Sequence, residues 1–223
     1  MMWKLVCAIL FGLLVQCAGS HPRTLYIGDS HSYGTFGRQF DSLLRASDSD
    51  KTAFFASSGS APSDWDPKRN EIYYTTGGYF EHVLDHATTF VPVGATATPK
   101  LDGLFSEYSP DRVIIQLGTN MIDLSNDEVY EQTLRLGKFV TSSMKKCIWL
   151  GPPDSRRYSA RLAELVLNIE KGARAAGCTF IDSRKFTKYP ENGGDGIHFD
   201  SLGDEGVQAG KNWAAAIFAI IAG

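Results

Sequence analysis

Several things are scarce in this chain, and each scarcity narrows what it can be. Lysine and arginine total 22 against 25 aspartates and glutamates, for a formal charge of −3. No basic stripe offers the phosphate-neutralising surface that nucleic-acid binding requires, so no nucleic-acid partner is expected. No apolar run reaches the ~20 residues that cross a bilayer as a helix, so no integral membrane span is expected. Cysteine occurs four times in 223 residues, and only Cys147 and Cys178 lie beyond the first 20; two cysteines alone make a poor metal site. A Walker loop and a Gly-x-Gly-x-x-Gly are both missing, which leaves nucleotide cofactors without support. There is no Gly-x-Ser-x-Gly either, the strand-to-helix elbow of the α/β-hydrolases. No repeat, low-complexity tract or linker divides the chain, and its length suits one domain.

What is present is a core. Hydrophobic residues make up 43% of the chain and aromatic residues 12%, which excludes a disordered polymer. The first residues stand apart from that core. Lys4 precedes an uncharged apolar stretch from Leu5 to Val15, and the small residues Ala18, Gly19 and Ser20 follow. That order is the order of a secretory signal peptide. It predicts a leader over 1–20, cleavage before His21, and an exported domain over 21–223. A second reading of the same stretch is Leu14-Val15-Gln16-Cys17, similar to a bacterial lipoprotein box, which would anchor the chain through Cys17. With Cys7 and Cys17 in the leader, Cys147 and Cys178 remain. Each opens a short apolar run, and adjacent strands lie within disulfide reach. One disulfide and two buried free thiols are both open.

From Arg23 onward, short apolar runs alternate with helical patterns. Strands are expected at Thr24 to Ile27, Thr52 to Ala56, Arg112 to Leu117, Cys147 to Leu150 and Cys178 to Ile181. Helices are expected at Phe36 to Ala46, Glu128 to Ser143, Ala160 to Ala176 and Gly203 to Ala222. This alternation predicts a three-layer α/β/α sandwich around a doubly wound, five-stranded parallel sheet. The segment 60–108, rich in Gly, Thr and aromatics, is longer than one crossover needs. It reads as a functional loop or as surface decoration. Its aromatic residues Trp65, Tyr73, Tyr74, Tyr79 and Phe80 are candidates for stacking on sugar rings.

In a doubly wound sheet, ligands bind beyond the carboxyl ends of the strands. Polar clusters fall at those ends: Gly28-Asp29-Ser30-His31 after the first strand, Ser57-Ser58-Gly59-Ser60 after the second, and Gly118-Thr119-Asn120 after the third. A fourth, Asp195-Gly196-Ile197-His198, precedes the final helix. In this order and over nearly the whole mature chain, the four segments resemble the SGNH (GDSL-like) hydrolases. The resemblance implies a flavodoxin-like version of the same sandwich. It puts Ser30 at the nucleophile position, Gly59 and Asn120 at the second- and third-block positions, and Asp195 with His198 in the final Asp-x-x-His block. His31 stands where the family's name has leucine. This variant resembles some bacterial carbohydrate esterases, including peptidoglycan O-acetylesterases. Met121 stands where an aspartate often follows the asparagine.

The chemistry agrees with the resemblance. A serine hydroxyl needs a base, which His198 supplies, and Asp195 can hold the imidazole tautomer. The Ser30 and Gly59 backbone N–H groups and the Asn120 amide are the candidate oxyanion donors. Asp29 is expected to hold the loop through backbone hydrogen bonds, and His31 to pack or to touch substrate. Neither metal nor cofactor is required by these groups. His82 and His86 have the spacing of a shared helical face but no third ligand. Arg156 and Arg157 are read as a solvated pair or as contacts for an anionic substrate. The expected activity is an exported serine esterase acting on a small-molecule or glycan ester, with an O-acetylated cell-wall glycan as leading substrate. The alternatives are a lipid esterase, lysophospholipase or thioesterase on the same residues, and a non-catalytic glycan-binding protein.

Overall fold

The computed structural model describes residues 23–47, 51–83 and 87–222. The expected leader, its cleavage point and Cys17 lie outside the described residues, as does His86. Along the chain run β1 (Thr24–Gly28), α1 (Ser30–Tyr33), α2 (Thr35–Ser47), β2 (Thr52–Ser57) and α3 (Pro62–Trp65). Four short strands follow: β3 (Tyr74–Thr75), β4 (Tyr79–His82), β5 (Thr89–Val91) and β6 (Thr96–Ala97). The second half comprises α4 (Leu101–Tyr108), β7 (Arg112–Gln116), α5 (Asn126–Ser142), β8 (Lys146–Leu150), α6 (Ser159–Ala175), β9 (Thr179–Ile181) and α7 (Asp204–Ala222).

The central sheet has the order β5-β4-β2-β1-β7-β8-β9. Its five expected strands, β2, β1, β7, β8 and β9, are all parallel. The sheet is nevertheless mixed and seven-stranded, because β4 and β5 add antiparallel strands beside β2. Both come from the long segment 60–108, which covers a sheet edge that would otherwise expose its hydrogen-bonding groups. The remaining pair of that segment, β3 and β6, forms a separate two-stranded ladder.

Strand alternation explains the three layers. Leu25, Ile27, Val113, Ile115 and Trp149 face one side, where Leu104, Val129, Leu136, Leu165 and Ile169 of α4, α5 and α6 cover them. Tyr26, Ile114, Ile148 and Leu150 face the other side, beneath Phe36, Phe40, Trp213 and Ile217 of α2 and α7. Each strand is buried on both faces, which is why these runs read as continuously apolar. The start of α5 lies two residues before the expected Glu128. Ser125 accepts the Glu128 backbone N–H while the Glu128 carboxylate accepts the Ser125 N–H at 2.8 Å, and this capping box begins the helix at Asn126.

Cys147 and Cys178 form a disulfide, with their Cα atoms 4.6 Å apart. It staples β8 to the approach of β9 across a parallel pair. Among the described residues, no helix is long and apolar enough to cross a membrane.

Candidate active site

The site lies where the sheet's winding reverses. From β1 the chain crosses to β2 on one side and then returns to β7 on the other, leaving a crevice beyond the carboxyl ends of β1 and β7. Ser30 opens α1 at this point, capped by Asp29, whose Oδ1 accepts the His31 backbone N–H at 3.0 Å. The helix turns back tightly on its own strand. A Cβ on Gly28 would lie 1.9 Å from Ser32 Oγ, so no larger residue fits there. Ser32 Oγ donates to Gln116 Oε1 at 2.7 Å and shares a hydrogen bond with the Tyr26 hydroxyl at 2.6 Å. This buried chain bolts α1 to β1 and β7. Burial pushes the Asp29 carboxyl up to about 7, against the pull of its backbone hydrogen bonds.

His198 reaches Ser30 from the opposite side. Its Nε2 lies 2.9 Å from Ser30 Oγ, and its Nδ1 lies 2.7 Å from Asp195 Oδ2. The other carboxylate oxygen, Asp195 Oδ1, accepts the backbone N–H groups of Ile197 at 2.8 Å and His198 at 2.7 Å. Partial burial alone would raise the Asp195 carboxyl. The hydrogen bonds from the His198 ring and from those two N–H groups outweigh it and hold the carboxyl well below its usual range. His31 packs beside this pair, its ring 5.3 Å from that of His198 and 6.0 Å from that of Trp213. Burial first, and then repulsion from His198, push the His31 imidazole down to about 3, so it stays neutral. No second cation competes beside His198.

Two further segments face the same crevice. Gly59 follows β2 with φ of +80°, and Asn120 lies in a short 3-10 turn, Thr119–Met121, after β7. The Asn120 amide donates to the Ser60 carbonyl at 2.9 Å. Ser30, Gly59, Asn120 and His198 line one cleft of about 500 Å³, with Tyr33 and Tyr73 among its walls. A hydroxyl, an imidazole and a carboxylate in one hydrogen-bonded chain, in a cleft that Gly59 and Asn120 also line, is an arrangement suited to nucleophilic attack on a carbonyl.

No family model and no curated protein matches the chain. Solved structures do. An inhibitor-bound aryl esterase of M. Smegmatis matches with a TM-score of 0.58 at 14% identity, covering 91% of this chain and 99% of that one. A lipolytic protein of the G-D-S-L family from Desulfitobacterium hafniense gives 0.59 at 11% identity, with coverage of 88% and 98%. A GDSL-like lipase from Bacteroides thetaiotaomicron gives 0.52 at 13% identity, with coverage of 89% and 88%. The chain has the fold of the SGNH (GDSL-like) hydrolases.

On this SGNH fold, residues that the sequence left unremarked hold the His198 loop. Asp200 accepts the Thr35 backbone N–H at 2.9 and 3.2 Å, tying the loop to the start of α2. Ser201 Oγ donates to the His198 carbonyl or to Asp195 Oδ1 and accepts the Asp195 N–H at 2.9 Å. The Tyr189 hydroxyl accepts the Gly196 N–H at 3.0 Å. No sequence pattern marks these partners, because loop-to-loop hydrogen bonds carry no periodicity.

Three expectations need correction. Arg156 does not line the cleft: half-exposed, its guanidinium donates to the carbonyls of Pro190 and Gly193 and packs over the Tyr189 ring, bracing the segment that leads to Asp195. His82 ends a strand and does not lie on a helical face, and its Nδ1 meets Asp41 Oδ2 at 2.6 Å. Trp65, Tyr79 and Phe80 are core residues that no sugar can reach. Of the five aromatic residues singled out in the insertion, Tyr73 alone lines the cleft.

Proposed function

We propose that the chain is a serine ester hydrolase in which Ser30 is the nucleophile, His198 the general base and Asp195 the residue that orients it. The observation that carries this reading is the continuous hydrogen-bonded chain from Asp195 through His198 to Ser30, at the strand-end crevice. In the reaction, Ser30 Oγ attacks the ester carbonyl while His198 Nε2 takes its proton. The oxyanion that forms is stabilised by the Ser30 and Gly59 N–H groups and the Asn120 amide. Collapse breaks the C–O bond, and His198 returns the proton to the leaving alcohol. Water, activated by the same imidazole, then releases the carboxylic acid and regenerates Ser30. These steps use neither metal nor cofactor.

The substrate we favour is an O-acetyl group on a carbohydrate, with cell-wall glycan as its source. The cleft supports a neutral substrate: Asp200 is the one acidic side chain among its lining residues, and no lysine or arginine lines it. A lysophospholipid would bring a phosphate for which that wall has no cationic partner. Export is part of the same proposal, supported by the leader-like order of residues 1–20 and by the Cys147–Cys178 disulfide, which suits an oxidising compartment. The test is acetate release from a panel of acetylated polysaccharides and peptidoglycan, set beside hydrolysis of acetyl and long-chain p-nitrophenyl esters. Preference for long acyl chains would favour a lipid esterase instead. Failure of a fluorophosphonate to label Ser30 would favour a binding protein.

A further inference from the structure

The residues Ser57-Ser58-Gly59-Ser60 form a turn closed by the Ser60 N–H donating to the Ser57 carbonyl at 3.2 Å. With φ of +80° at its third residue, Gly59, the turn is of type II. Types I and II differ chiefly by a flip of the central peptide, here the Ser58–Gly59 unit. Because Gly59 tolerates either sign of φ, the sequence leaves that flip open. The flip matters, since this one peptide carries the Gly59 N–H, the second of the proposed oxyanion donors.

Two hydroxyls of the 60–108 insertion hold the peptide from its other side. The Ser58 carbonyl accepts a hydrogen bond from Thr75 Oγ1 at 2.7 Å and one from the Tyr73 hydroxyl at 3.2 Å. No peptide bond among the described residues is cis. In a planar trans peptide the C=O and N–H point in opposite directions, so fixing the carbonyl fixes the N–H. The Gly59 N–H itself makes no hydrogen bond among the described residues, and Gly59 lines the cleft.

We propose that Tyr73 and Thr75 are positioning residues that aim the Gly59 N–H at the reacting carbonyl oxygen. This rests on the serine-hydrolase reading and deepens it. Thr75 is fully buried, and the strand-like segment it belongs to is stitched to the turn a second time by the Ser58 N–H donating to the Gly78 carbonyl at 3.0 Å. Tyr73 lies over the turn, its hydroxyl oxygen 2.4 Å from where a Cβ on Gly59 would sit. Burial, with Asp64 nearby, raises the Tyr73 phenol above its ordinary range, so it remains a donor at working pH. Two donors on the carbonyl also polarise the peptide, strengthening its N–H as a donor in turn. The long insertion thus has a role at the site as well as at the sheet edge.

The test uses the whole chain with Tyr73→Phe, Thr75→Val and the double variant, each assayed on p-nitrophenyl acetate. A misaimed donor forfeits part of the ~10²–10³ in kcat that one oxyanion donor supplies, so a fall of about 10- to 100-fold is expected in the double variant. KM should stay within about 3-fold, because the hydrogen bond strengthens only as charge develops. Binding of a boronic acid, which mimics the oxyanion, should weaken in step with kcat, and Thr75→Ser should restore both. An unchanged kcat in the folded double variant overturns the proposal. So does a fall in melting temperature with boronic acid affinity unchanged. Should Thr75→Val not fold, Tyr73→Phe at its half-buried position carries the same readouts. Ser30→Ala separates the two levels: turnover that survives it sinks the serine-hydrolase reading, whereas a dead Ser30→Ala beside an undiminished double variant sinks only the positioning role.

Discussion

Asn120 and Ser60 are joined by a 2.9 Å hydrogen bond from a side-chain amide to a backbone carbonyl, across 60 residues of sequence. The bond links the segments that follow β7 and β2, the two strands flanking β1, and Ser30 at the end of β1 lies between them. It uses one of the two amide hydrogens of Asn120, and the second remains for a ligand in the cleft. Asn120 therefore has a structural duty and a proposed catalytic one.

The two duties separate on mutation. Asn120→Ala should lower kcat by about 10²–10³ with little change in KM, as expected for loss of one oxyanion donor. Loss of the bond to Ser60 should also lower the melting temperature. Measuring kcat, KM and thermal stability on the same variant tests this, and an unchanged kcat with a lowered melting temperature leaves only the structural duty.

Ser30→Ala should abolish ester turnover and fluorophosphonate labelling while leaving circular dichroism unchanged. Its side chain is partly exposed at the first turn of α1, and its hydroxyl is hydrogen-bonded to His198. Near-normal turnover in the folded variant would remove Ser30 as nucleophile.

Asp29 predicts a pH dependence of stability. Its carboxyl titrates near 7 in the folded chain against 3.8 ordinarily, raised by burial; Oδ2 is buried with no hydrogen-bond partner among the described residues. Between those values the folded chain binds a proton that the unfolded chain has released, so this group's contribution to stability falls as pH rises through that window. Asp29→Asn keeps the acceptor for the His31 N–H and removes the titration. Relative to the parent, the variant should gain stability from pH 4 to pH 8 in denaturant midpoints, and parallel curves would refute the assignment.

The Cys147–Cys178 disulfide closes a loop with a sequence separation of 31. In the chain-entropy picture, a loop of that size stabilises the fold by about 3–4 kcal/mol through restriction of the unfolded chain. Reduction, or replacement of both cysteines by alanine, should lower the melting temperature markedly. Ester turnover at 25 °C should persist, because β8 and β9 contribute no proposed site residue. A melting temperature indifferent to reductant would show that the bridge adds no stability.

Local chemistry determined much of this protein from the sequence alone. Apolar runs such as Arg112 to Leu117, punctuated by helical stretches, specify parallel strands buried on both faces, since each must find a core on either side. The polar clusters at the strand ends were legible for the same reason: a buried strand must stop where Gly28, Ser57 or Gly118 admits polar groups and sharp turns. Tertiary structure decided what those patterns leave open. The antiparallel edge strands β4 and β5 are only a few residues long, with Tyr79 and Phe80 buried but no lengthy alternation to announce them. Whether Cys147 met Cys178 depended on two strands being neighbours, and strand order is not a local property. The Asp200 contact with Thr35, the Arg156 brace and the Tyr73–Thr75 hold on Ser58 bridge 165, 34 to 37, and 15 to 17 residues. Such bonds form only after the chain has folded back on itself, so no periodicity in the sequence marks both partners and the packed structure alone selects them.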